Sequence, residues 1–104
     1  MSRAPQDVVS LYLRAQNLEH VRRVDEAIEL YEQAVDAGFD AAGPYDRLIA
    51  IYRAAERHRD VVRVATAALE HVRTFGDKQA SYQAVRDESS GALASRPDGR
   101  GPEF

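Results

Sequence analysis

Between Val24 and Gly38 the chain reads VDEAIELYEQAVDAG, and its apolar residues fall at Val24, Ala27, Ile28, Tyr31, Ala34 and Val35. Steps of three, four and seven put these side chains on one side of a helix. Asp25, Glu26, Glu29, Glu32 and Asp36 take the other side. The spacing predicts an amphipathic helix with a solvated acidic face and Gly38 as its C′ stop. Residues 5–20 carry the same pattern in Val8, Leu11, Tyr12, Ala15 and Leu18, with Pro5 suited to the first turn. The breaker Gly43-Pro44 opens a third predicted helix, PYDRLIAIYRAAER, striped by Tyr45, Leu48, Ile49 and Tyr52. A fourth, DVVRVATAALEHV, is striped by Val61, Val62, Val64, Ala65, Ala68, Leu69 and Val72 and closes at Gly76.

The second pair of helices lies over the first at one fixed shift. Leu11 falls on Tyr45, Leu18 on Tyr52, Ile28 on Val62, Ala34 on Ala68 and Val35 on Leu69, always 34 residues apart (45 − 11, 52 − 18). Two helices in a 34-residue period resemble the tetratricopeptide repeat. The likeness is carried most clearly by DEAIELYEQAV, with Ala27 and Ala34 at the family's small positions. Ala15 also matches a small position. Leu18 stands where an aromatic is usual, and Arg14 departs from the expected leucine. The second unit is looser: Tyr45, Leu48 and Tyr52 fit the large positions, while Ile49, Val61 and Ala65 exchange large for small or the reverse.

The resemblance implies an all-α, right-handed α-solenoid of two helix pairs, units 8–41 and 42–75. Residues 77–94 would cap the stack, hiding its last apolar face behind a polar exterior. Their stripe of Ala80, Tyr82, Val85, Ala92 and Leu93 is weak, and Gly91 interrupts it. Residues 1–94 thus form one domain. The end, SRPDGRGPEF, is rich in Gly, Pro and charge and is expected to be a disordered tail over 95–104.

Composition narrows the chemistry. With 44% apolar and 30% charged residues the 104-residue chain is an ordinary globular sequence. It has no cysteine, which excludes disulfides and thiolate chemistry. No run approaches the roughly 20 apolar residues of a membrane span, and the N-terminus lacks a signal-peptide core, so a cytoplasmic location is expected. Thirteen of the 14 basic residues are arginine, a usage that points to a GC-rich bacterial genome.

The net charge of −3 gives no reason to expect nucleic acid or an anionic membrane. Charge is nevertheless uneven. Residues 8–41 hold seven acids and three bases (−4), and residues 42–75 hold four acids and six bases (+2). Intramolecular pairing on a solvated surface is favoured; an acidic partner or contact between two copies comes next, and nucleic acid last.

Catalytic constellations are not evident. His20, His58 and His71 fall on different helices or their ends, without ligand spacing. Glu29, Glu32 and Asp36 are spaced like an acid/base pair, but they also sit where an exposed helix face must lie. The serines lack a partner histidine or a G-x-S-x-G elbow, and the glycines stop helices instead of cradling phosphate. A non-enzyme without cofactor or metal is expected.

In proteins the chain resembles, the first helix of each unit lines a concave groove that takes a peptide or a partner helix. By position, that groove would be lined by Tyr12, Gln16, Glu19 and His20, then by Asp46, Arg47, Ala50, Arg53 and Ala54. Tyr12 and Arg53 are the expected anchors, with a core tyrosine as the alternative for Tyr12. A subset of the family clamps chaperone C-termini with cations. Here those positions hold Tyr12, Gln16, Arg47, Asp77 and Ser81, which disfavours that ligand. The expected function is a non-catalytic protein-interaction module. The alternatives are a self-assembling homodimer and a regulatory segment of a larger enzyme or transcription regulator.

Overall fold

The apolar stripes fold as five α-helices: α1 Gln6–His20, α2 Val24–Asp36, α3 Gly43–Ala54, α4 His58–His71 and α5 Asp77–Ser95. The computed structural model describes residues 6–73 and 77–95, and all regular structure among them is helical. Pro5, Gly76 and residues 96–104, to which the sequence assigns a first turn, a helix stop and a tail, lie outside the described residues.

Each helix packs on the next in the chain, and α2 also touches α4. The reason lies in the side chains the stripes bring inside. Ala15, Ala27, Ala34, Ala65 and Ala68 are fully buried and let neighbouring helices approach closely. Tyr31, Tyr45, Leu48, Tyr52, Val61 and Val64 fill the space between them. Burying each of these large side chains stabilises the fold by roughly 1.5–3 kcal/mol before entropic costs. Tyr82 extends the same cluster into α5.

The two helical hairpins turn their corners in the same way. Arg22 (φ 70°) and Glu56 (φ 60°) are left-handed, 34 residues apart (56 − 22). At the first corner the Arg22 amide bonds to the Glu19 carbonyl and the Arg23 amide to the Leu18 carbonyl. At the second, Glu56 bonds to Arg53 and Arg57 to Tyr52, every partner shifted by 34. This is the Schellman closure, which satisfies the last carbonyls of a helix. The next turns match too. Arg23 pairs with Glu26 and Arg57 with Asp60, both at 2.8 Å and again 34 residues apart. The end of α2 closes likewise, with Gly38 (φ 72°) as the expected C′ residue.

The elements depart from expectation in two places. The predicted third helix runs to Arg57, but α3 stops at Ala54 because Glu56 turns left-handed. In α5, which covers the expected cap and runs through Gly91 to Ser95, the buried face differs from the expected stripe. Tyr82 and Ser89 are the buried residues of α5, Lys78, Val85, Arg86 and Ala92 are partly buried, and Ala80 and Leu93 are exposed.

Candidate functional site

Helices α1, α3 and α5 enclose two shallow depressions with α3 as their common wall. The first, of about 410 Å³, is lined by Gln16, Glu19, His20, Tyr31 and Arg47. The second, of about 210 Å³, has Ile49, Ala50 and Val85 as apolar lining, with Asp46, Arg53, Ser81 and Tyr82 around them. Six of the seven groove residues named from the sequence other than His20 and Ala54 therefore line one or the other. Tyr12 is the exception. Its half-buried ring lies 6.1 Å from that of Tyr31 and 6.3 Å from that of Phe39, against the start of α3 at Gly43. Its hydroxyl accepts from Gln16 Nε2 at 3.1 Å, so the side chain serves packing and meets the site only at its tip.

The polar residues of this face bind one another. The Tyr31 hydroxyl donates to Glu19 Oε1 at 2.7 Å, and Arg47 Nε donates to the same oxygen at 3.0 Å while its Nη2 pairs with Oε2. One carboxylate thus joins α1, α2 and α3. Asp46 does the same between α3 and α5, accepting from Lys78 Nζ at 2.6 Å and from the Tyr82 hydroxyl at 2.8 Å. Arg53 reaches Glu88 on α5 at 3.0 Å. Ala50 and Ala54 are exposed between these pairs.

A third joint of this kind lies on the other side of α3. Glu32 accepts from the Tyr52 hydroxyl and from Arg63 at 2.9 and 2.7 Å, and Arg63 also reaches Asp60 at 3.0 Å. Glu32 is half-buried and ties α2 to α3 and α4, which corrects its placement on a purely solvated acidic face. Glu29 and Asp36 remain exposed, as that face requires.

The electrostatics follow from these contacts. The Arg47 guanidinium holds the Glu19 carboxyl below its ordinary value, aided by the Tyr31 hydroxyl and opposed by burial. Burial pushes Glu32 up, but hydrogen bonds from Arg63 and Tyr52 outweigh it and leave the group lowered. Burial also raises Tyr31, Tyr52 and Tyr82, each reinforced by its carboxylate partner. Tyr45 is pushed up to about 12 by burial and by the charge of Asp40. Chemically, the face presents neutralised ion pairs around a small apolar floor. Such a surface can seat an apolar side chain and offer hydrogen bonds around it.

The histidines are dispersed. His20 lines the first depression, His58 Nδ1 lies 3.3 Å from Ser89 Oγ, and His71 lies 3.8 Å from Glu70. Among the described residues no three His, Asp or Glu side chains are placed to share a metal ion. No helix among them is long and apolar enough to cross a membrane.

Ser81, which the sequence places at a groove position, lines the second depression, but sequence reasoning missed the rest of the α5 contribution to this face: Lys78, Tyr82, Val85 and Glu88. Tyr82 was the available signal, as the single aromatic in a helix of small and polar residues. A larger depression of about 510 Å³, lined in part by Val8, Val9, Phe39, Asp40 and His71, was not foreseen either.

Comparison of the chain with protein-family models, with curated proteins and with solved structures gives no match.

Proposed function

We propose that the protein is a non-catalytic interaction module of tetratricopeptide-like build, a right-handed stack of two helix pairs and a cap. It takes a short peptide or partner helix across the face shared by α1, α3 and α5. The observation that carries the proposal is the 34-residue register, which recurs in the apolar stripe and in the two left-handed corners at Arg22 and Glu56. A chain repeated in this way sets the first helices of its units side by side. Their common face is then the natural groove for a partner.

The ligand expected is a protein segment with one apolar anchor, seated over Ile49, Ala50 and Val85, and polar groups to either side. Affinity purification of partners, followed by amide shift mapping on the isotopically labelled chain, tests this. Perturbations should centre on Gln16, Asp46, Ala50 and Arg53. A partner that leaves all four unmoved would sink the proposal.

A second proposal is self-association, favoured by one observation: four apolar side chains of the first helical hairpin, Val9, Leu13, Val21 and Val24, are exposed. A contact with a second copy would cover them. Light scattering over a range of concentrations tests it, and a strict monomer at high concentration removes it.

A further inference from the structure

The polar side chains of the α1–α3–α5 face are unevenly used. A guanidinium has five N–H donors, and a carboxylate has about four lone-pair sites. Arg47 spends two of its donors on Glu19, and Arg53 spends one on Glu88. Three N–H groups of Arg47 and four of Arg53 are left over, on side chains 44% and 48% exposed. The carboxylates lining the same depressions have less to spare. Glu19 is 20% exposed and already accepts from Tyr31 and twice from Arg47, and Asp46 accepts from Lys78 and Tyr82. The Ser81 hydroxyl is exposed and has no partner among the described residues. Charge is distributed in the same sense. Helices α1, α3 and α5 hold five bases and six acids, whereas α2 and α4 hold two bases and seven acids. An acidic segment therefore meets less repulsion at the α1–α3–α5 face than along α2.

We propose that the segment received by this face is acidic: an apolar residue seated on Ile49, Ala50 and Val85, with carboxylates to either side taken by Arg47 and Arg53. The inference rests on the groove proposal and narrows its ligand. Arg47 and Arg53 are six residues apart, about 9 Å along α3, with Ile49 and Ala50 between them. Acids two residues before and two residues after the apolar one share its side of an extended segment, about 13 Å apart. Two long arginine side chains span that difference, and each can grip a carboxylate through paired N–H donors. Glu88 already holds Arg53 at 3.0 Å and is itself exposed, so it competes with the incoming acid.

The test titrates the full, isotopically labelled chain with three capped pentapeptides: Glu-Gly-Leu-Gly-Glu and its counterparts with Gln or Lys at both ends. The expected result is a set of amide shifts at Ala50, Arg53 and Ser81. The Glu peptide should bind roughly fivefold more tightly than the Gln peptide, and the Lys peptide should be the weakest. Raising the salt concentration should shrink that preference. Arg53→Gln should reduce it to about twofold or less, and Glu88→Gln, which frees Arg53, should strengthen the Glu peptide by about two- to threefold. Equal affinity of the three peptides at this face overturns the acidic ligand and leaves the groove proposal standing. Shifts confined to other surfaces, or none up to roughly 10 mM peptide, also overturn it; the native-partner experiment then decides the groove proposal separately.

Discussion

The hydroxyl of Tyr31 donates to Glu19 across the α1–α2 interface at 2.7 Å, and Arg47 of α3 closes on the same carboxylate. Tyr52, Glu32 and Arg63 repeat the arrangement one helix further on, and Tyr82, Asp46 and Lys78 repeat it at α5. In each case a mostly apolar tyrosine is buried, and a partly exposed carboxylate both satisfies its hydroxyl and recruits a cation. The burial supplies most of the stabilisation, and the hydrogen bond removes the cost of leaving a phenol unsatisfied.

Tyr52→Phe keeps the ring and removes the donor, so it should cost about 1 kcal/mol in urea-induced unfolding. Tyr52→Ala opens a cavity in the buried cluster and should cost about 3–5 kcal/mol. A double-mutant cycle with Glu32→Gln measures the coupling. A coupling energy near zero would show that the contact contributes nothing.

The same joints set the pH range of stability. Glu19 and Glu32 are lowered in the folded state, so their contribution is present above the unfolded carboxyl value and is lost as pH falls through their folded values. Unfolding at low pH should therefore become easier below about pH 4.5, less so in Glu32→Gln. The tyrosines act in the opposite direction. Tyr45, raised to about 12, contributes fully below the ordinary phenol value near 10 and loses that contribution as pH rises through its folded value. Phenol absorbance should show delayed ionisation of Tyr31, Tyr45, Tyr52 and Tyr82 in the folded chain, released on unfolding. Normal titration of all four before unfolding would refute the burial argument.

The two left-handed corners are occupied by Arg22 and Glu56, side chains for which that conformation is unfavourable. Arg22→Gly and Glu56→Gly should each stabilise the chain by roughly 0.5–1 kcal/mol, since glycine removes the strain but adds unfolded-state entropy. Thermal melts of both variants provide the measurement. Loss of stability at either corner would mean that the arginine or glutamate side chain makes up for its backbone.

Much of the helical layout was legible because 3.6-residue periodicity is local. Ala27, Tyr31, Ala34 and Val35 are all buried where the stripe placed them. The corners were not legible: Arg22 and Glu56 are not turn residues, and only the backbone reveals their matching geometry. Glu32 was misplaced because a helical wheel puts it on the outer edge of α2, whereas its neighbours Tyr52 and Arg63 come from 20 and 31 residues away. The stripe of α5 was legible in part: Tyr82, Val85 and Ala92 lie on its inner side as the pattern placed them. Ser89, which is buried, and Lys78, which is partly so, carry little hydropathic signal and escaped.

Gly43 and Gly91 offer a contrast in what a single methyl group does. A Cβ on Gly91 would meet nothing within 4 Å, and the residue lies inside α5, so Gly91→Ala should gain up to about 1 kcal/mol in helix propensity. A Cβ on Gly43 would fall inside the contact radius of the Tyr12 ring. That ring can move, but only away from its packing on Tyr31 and Phe39 and from the hydrogen bond with Gln16. Gly43→Ala should therefore cost about 1–3 kcal/mol and shift the Gln16 side-chain amide signal. Tyr12→Leu in the same background removes the clash and should restore part of the loss. If Gly43→Ala alone were neutral, Tyr12 would not be held against the start of α3, and its role in joining α1 to α3 would fail.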